Sequence, residues 1–262
     1  MVLAFILYRF LREPARGQAE RGASGQEHTA AAPLKIPQLA RVIFNHSTVL
    51  LLMTVFLGAN FVATIFLTWT PTFLVEKFHF ELTSAGLSGT VFIHLASACS
   101  VPFGGWLADC LSRRMTAGRT VVQAAGLLLG SVFVFMVGTT QVVSTLLVAM
   151  TLFGLCKGLY DSNIFAALYD YIPPEARATA AGLMNTVGWG GGALGPVAVG
   201  WVTKHGHYGT EMDNMSHAIA WCGAIYLVGA VLLIAAAVGT GPNRGKGILP
   251  CAGPSSHTSS HT

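Results

Sequence analysis

Charge is what this sequence has least of. Asp, Glu, Lys and Arg together make up 10% of the 262 residues. A chain so poor in charge, with 53% hydrophobic residues and a mean hydropathy of +0.59, is built for a lipid bilayer rather than for water. The basic residues are scattered between apolar runs rather than clustered with aromatics, so the formal net charge of +4 does not mark a nucleic-acid surface. Cysteine is sparse as well. Cys99, Cys110, Cys156, Cys222 and Cys251 form no C-x-x-C pair and no ligand-like spacing to histidine, so neither a disulfide framework nor a zinc site is indicated, and most of these thiols pack as small hydrophobes. The sequence also has no G-x-x-x-x-G-K-[ST], G-x-S-x-G or H-E-x-x-H. Nucleotide-driven pumping and membrane hydrolysis are therefore disfavoured, no cofactor or metal is called for, and the chain reads as a non-enzyme.

What the chain does have is long apolar runs. Six of them, each about 20 residues or more and so able to cross a hydrocarbon core of roughly 30 Å, cover about 47–69, 86–107, 120–139, 142–169, 179–202 and 217–239. An even number of spans puts both ends of the bundle on one side. Arg9, Arg12, Arg16, Arg21, Lys35 and Arg41 precede the first span; Arg113, Arg114 and Arg119 follow the second, Arg177 the fourth, and Arg244 and Lys246 the last. The alternate loops hold only Lys77 and Lys204, so the positive-inside rule makes the arginine-bearing end, with both termini, cytoplasmic. The expected membrane is a plasma (inner) membrane.

Four segments follow from this pattern. Residues 1–11 carry an apolar stretch too short to span, with its charges behind it, the reverse of a signal peptide; they read as the end of a truncated membrane helix. Residues 12–45 have no sustained apolar period and read as a cytoplasmic linker. Residues 46–240 form a six-helix transmembrane bundle, and the Ser/Thr/His-rich residues 241–262 a disordered tail. His205 and His207, beside Glu211 and Asp213, read as a solvated outer loop in preference to a metal site.

The stretch GGWLADCLSRR, Gly104 to Arg114, puts an acid and two arginines directly after an apolar run. Gly105 and Asp109 are one helical turn apart, so a face without side-chain bulk leads to a carboxylate at a helix end. An acid there, held near another helix's N-terminus, makes a latch that can form in one conformation and break in another. This G-x-x-x-D-x-x-x-R-R pattern resembles the signature loop of the major facilitator superfamily, in the version carried between helices eight and nine; Cys110 and Ser112 stand where that loop usually has a basic residue and a glycine. Pro173-Pro174-Glu175-Ala176-Arg177, leading to Gly182, is similar to the family's loop between helices ten and eleven. Trp69-Thr70-Pro71-Thr72-Phe73-Leu74 looks like the motif after helix seven in members resembling organic anion:cation symporters.

The resemblance implies an all-α integral membrane fold: the C-terminal six-helix half of a twelve-helix transporter, arranged as two inverted three-helix repeats, with a short N-terminal helix stub. It further implies a missing N-terminal six-helix half as partner, with Gly105, Asp109, Arg113, Arg114, Glu175 and Arg177 in the conformational latch. The family lines its cavity with the first and fourth helices of each half. In this sequence those spans hold Asn60, Thr64 and Thr68, and Lys157, Tyr160 and Asp161. A charge at bilayer depth costs about 2.5–3.5 kcal/mol on insertion scales, so Lys157 and Asp161 face the interior. At i,i+4 they neutralise one another, either as a structural pair or as one for which an anionic solute or a proton competes. His94 is either a coupling-proton carrier or a packing histidine, and Asn185 a solute ligand or an interhelical hydrogen-bonder. Gly188 with Gly192, and Gly191 with Gly195, give small residues at four-residue spacing; Gly195-Pro196 either serves close packing alone or forms a hinge. The expected function is transport of a small polar, organic anionic solute by alternating access with proton coupling. The alternative is a truncated non-transporting membrane protein or an assembly subunit.

Overall fold

The computed structural model describes Arg9 and residues 43–239. The expected helix stub (apart from Arg9, which is helical and exposed), the linker up to residue 42 and the tail lie outside the described residues. Of the linker's last residues, Ile43 is buried against the core, 2% exposed.

All the described regular elements are helical: α1 (Ser47–Phe78), α2 (Leu82–Ser112), α3 (Gly118–Thr139), α4 (Val143–Asp161), α5 (Ile164–Tyr169), a 3-10 turn (Pro174–Ala176), α6 (Arg177–His205) and α7 (Glu211–Gly239). Counting α4 and α5 as one span, five of the six are long and apolar enough to cross a membrane. The sixth, α6, has 29 residues and is glycine-rich, which lowers its hydropathy without shortening it.

Helix ends differ from the sequence expectation where side chains intervene. α1 runs nine residues past the tryptophan expected to close it, straight through Pro71, because an internal proline deletes one ladder bond and membrane helices absorb that loss. It ends at His79, whose left-handed φ of 55° lets the His79 N–H reach Val75 O at 3.0 Å, the single bond of an αL closure, while Phe80 N–H reaches Leu74 O at 3.3 Å. The span expected as unbroken over 142–169 breaks at Ser162-Asn163. There the Ser162 hydroxyl and the Asn163 amide both donate to Leu159 O, competing with the backbone ladder. α7 starts earlier than expected because Thr210 and Asp213 form a reciprocal cap, Thr210 N–H to Asp213 Oδ2 at 3.0 Å and Asp213 N–H to Thr210 Oγ1 at 3.2 Å.

The pairings come in matched sets. α1 packs on α6 and α2 packs on α4, while α3 and α7 pack on each other. Two sets of three spans each, successive spans alternating in direction, are necessarily inverted relative to one another, and exchanging first with fourth and second with fifth maps α1–α6 onto α4–α2. The centre is aromatic: Phe66 of α1 stacks on Phe153 of α4 at 4.6 Å, and Phe153 meets Tyr226 of α7 at 5.6 Å.

Lipid tails are as apolar as leucine, so these helices gain little from hiding hydrocarbon and associate by close backbone approach at small residues. A Cβ added at Gly158 of α4 would lie 2.5 Å from Ser97 O of α2, one at Gly126 of α3 2.7 Å from Cys156 O of α4, and one at Gly138 of α3 2.5 Å from Ala220 N of α7. At Gly86 the same atom would meet nothing within 4 Å. Gly158→Ala is therefore expected to cost about 1–3 kcal/mol by overpacking, while Gly86→Ala stays within about 0.5 kcal/mol. Thermal unfolding of the two variants in one detergent checks this; equal melting points would contradict it.

Candidate functional site

At about 100° per residue around α4, Phe153 points to α1 and α7 while Gly154 and Gly158 point to Ile93, Ser97 and Ser100 of α2. Lys157 and Asp161 share the arc between those two contacts and form an ion pair one turn apart. Their side chains keep 18% and 30% exposure, so the pair is sunk between α1 and α2 yet open to whatever enters there. Tyr160 lies on a different arc, in the core, 2% exposed.

The other polar candidates are not gathered round this pair. Asn60 is half-buried and donates to Phe56 O of its own helix at 3.0 Å, beside Gly188 of α6. His94 of α2 and Asn185 of α6 are exposed. Among the described residues, the structure thus separates the candidates into a pair on α4, an amide at the α1–α6 seam and two exposed groups.

At the arginine-bearing end, close approach uses Gly104 rather than Gly105. A Cβ on Gly104 would sit 2.5 Å from Ser162 Oγ and 3.0 Å from Leu159 Cα, whereas one on Gly105 would meet nothing within 4 Å. Asp109 is exposed, and its partner is Arg119 at the start of α3, 3.4 Å away. Arg119 also holds Asp170, just past α5, at 2.7 Å. Arg113, Arg114 and Glu175 are exposed and make no ion pair with the described residues. Arg177 caps α5: its guanidinium donates to Ile172 O and Tyr169 O, both at 3.4 Å, and lies over the Tyr169 ring at 5.5 Å.

Sequence reasoning missed Arg119 and Asp170 as partners, and missed the buried Asn163. The Asn163 amide donates to Gly104 O of α2 at 3.3 Å, while Gln123 of α3 donates to Asn163 O at 2.8 Å. The available signals were charges at span ends and two amides inside apolar runs; their pairing belongs to the tertiary fold.

The glycine face of α6 meets α1 as its spacing suggests. A Cβ at Gly191 would lie 2.6 Å from Leu57 Cγ, and one at Gly192 3.0 Å from Thr64 Cγ2. At the opposite end of the bundle, Trp69, Glu76, Pro196, Trp201, Lys204 and Glu211 line a groove of about 830 Å³. Its charged side chains are all exposed, so it is a solvated mouth, unlike the sunken pair on α4.

A family model described as Major Facilitator Superfamily matches residues 1–121 and 82–244. Among curated relatives, the probable anion transporter 1, chloroplastic, of Oryza sativa subsp. japonica is 30% identical over 205 residues, 76% of this chain and 37% of that protein. The sodium-dependent phosphate transport protein 1, chloroplastic, of Arabidopsis thaliana is 29% identical over 229 residues, 85% of this chain and 42% of that protein. The probable L-galactonate transporter of Escherichia coli (strain K12) is 23% identical over 199 residues, 74% and 42% respectively. The chain thus spans less than half the length of these relatives.

The α4 pair makes a stability prediction independent of any solute. Lys157→Gln leaves Asp161 without its partner and is expected to cost about 2 kcal/mol, less than for a fully buried pair because both side chains stay partly exposed. Lys157→Gln with Asp161→Asn should recover most of that loss in thermal unfolding, whereas two purely additive losses would show that the charges are not coupled.

Proposed function

Because the chain belongs to the Major Facilitator Superfamily, we propose that it serves as one six-helix bundle of a secondary transporter that moves a small organic anion across a membrane by alternating access. The observation that carries the proposal is the sunken, partly open Lys157–Asp161 pair on α4. An ion pair in apolar surroundings has no stability advantage over packed hydrocarbon, and intramembrane charges mark solute or ion pathways. The anion relatives named above support the sign of the cargo.

In this reading the solute's anionic group takes Asp161's place at the Lys157 ammonium. The displaced Asp161 carboxylate accepts a proton from the same aqueous side, so one anion and one proton cross together and neither crosses as a lone buried charge. Asn60 at the α1–α6 seam and the exposed Asn185 and His94 are available to a solute or proton only if a second bundle closes over them. That second six-helix bundle is the partner against which this one rocks. Asp109, through Arg119 and Asp170, forms the latch at the arginine-bearing end; Arg113 and Arg114 hold that end in the cytoplasm, and Arg177, through Ile172 O and Tyr169 O, fixes the entry to α6. The membrane is the plasma (inner) membrane.

Uptake of radiolabelled galactonate, ascorbate and phosphate by cells making the whole protein tests the reading. Lys157→Gln is expected to lower uptake of the transported anion at least about tenfold at equal membrane abundance, and Asp161→Asn to remove its dependence on a pH gradient while sparing exchange. Wild-type uptake by Lys157→Gln would overturn the proposal.

A further inference from the structure

Pro196 interrupts α6 in the middle of its contact with α1. Having no N–H, it leaves Gly192 O without a ladder donor. The structure shows what replaces that donor: the Thr64 hydroxyl of α1 lies 2.7 Å from Gly192 O. The missing Cβ of Gly192 permits the approach, since one there would stand 3.0 Å from Thr64 Cγ2. One turn on, the Trp69 indole N–H donates to Pro196 O at 3.0 Å, its ring lying over Gly200. α1 therefore grips α6 on both sides of the proline.

A hydroxyl has one proton, and Thr64 Oγ1 has other acceptors within reach: Asn60 O at 2.9 Å and Phe61 O at 3.1 Å, both on its own helix. When α6 is close, the proton bridges the helices. When α6 moves off, it returns to α1, where a mid-helix threonine is ordinarily satisfied. The donor is paired in both arrangements, and only the Gly192 carbonyl changes its state.

We propose that Thr64 is a positioning residue for transport, a one-proton clasp that holds the Pro196 break of α6 straight and releases it to bend when access changes. The proposal rests on the transport reading for its role in the cycle, although the clasp itself does not.

Hydrogen–deuterium exchange of the whole protein in nanodiscs, read across residues 186–200, tests it in four variants. Thr64→Val removes the donor and should speed exchange about tenfold, the order of one lost hydrogen bond, while Thr64→Ser should stay near wild type. Pro196→Ala restores a backbone N–H to Gly192 O, so adding Thr64→Val to it should change exchange less than about twofold. If Thr64→Val has the same effect in both backgrounds, or none in the first, the clasp is overturned and Thr64 is a packing residue. Should Thr64→Val alone fail to fold, the proposal requires that the double variant fold; failure of both overturns it. Uptake by the same proteins separates the two claims: the expected exchange pattern with undiminished uptake in Thr64→Val removes the clasp from the transport cycle.

Discussion

Inside a bilayer there is no water to satisfy a backbone N–H or C=O, and each one left bare costs several kcal/mol. Several irregularities among the described residues answer that constraint. The helix break at Ser162-Asn163 is closed by Asn163 and Gln123. The carbonyls of Thr203 and Gly206, where α6 ends, are taken by Asn214 at 3.1 Å each. The last turn of α3 offers Gly138 O, which Lys77 reaches from α1 at 3.3 Å. Among the described residues, no buried side-chain nitrogen or oxygen lacks a hydrogen-bond partner.

The same constraint explains the glycines. A neighbour's side chain can serve a backbone carbonyl only if the helices come close, and closeness between helices in lipid requires residues without bulk. Gly104, Gly158 and Gly192 each stand where one helix reaches another and beside a polar group, respectively Ser162, Ser97 O with Ser100, and Thr64. Packing and polar satisfaction are therefore one device here. Against that background the Lys157–Asp161 pair is an exception, because both partners lie on α4 and the Lys157 ammonium is paired within its own helix instead of with a neighbour's carbonyl.

Much of this was legible in the sequence. Apolar run length and scarce charge gave the six spans, and the order of the Gly104–Arg114, Pro173–Gly182 and Trp69–Leu74 motifs pointed to the family. The i,i+4 spacing of Lys157 and Asp161 was enough to predict their pairing, since both lie on one helix. Other features were illegible for a physical reason. Arg119 meets Asp109 and Asp170 across three separate elements, and one-dimensional spacing carries no information about such contacts. Gly104 and Gly105 are adjacent and chemically identical, so only the rotation of α2 decides which one faces Leu159. Tyr160 is next to the pair in the chain yet faces the core, because a step of one residue on a helix turns the side chain through about 100°.

The central claim is that the arc of α4 holding Lys157 and Asp161 is open to water and solute while the rest of the helix is sealed. A cysteine scan along α4 in the whole protein, with a membrane-impermeant thiol reagent and a background lacking the native thiols, tests it most directly. Cysteines at 157 and 161 should label from the arginine-bearing side, and a transported anion should protect them, while those at the lipid-exposed Val148 and Leu155 and the buried Phe153 remain unlabelled. Labelling absent from 157 and 161, or equal along the helix and indifferent to anions, would contradict the account.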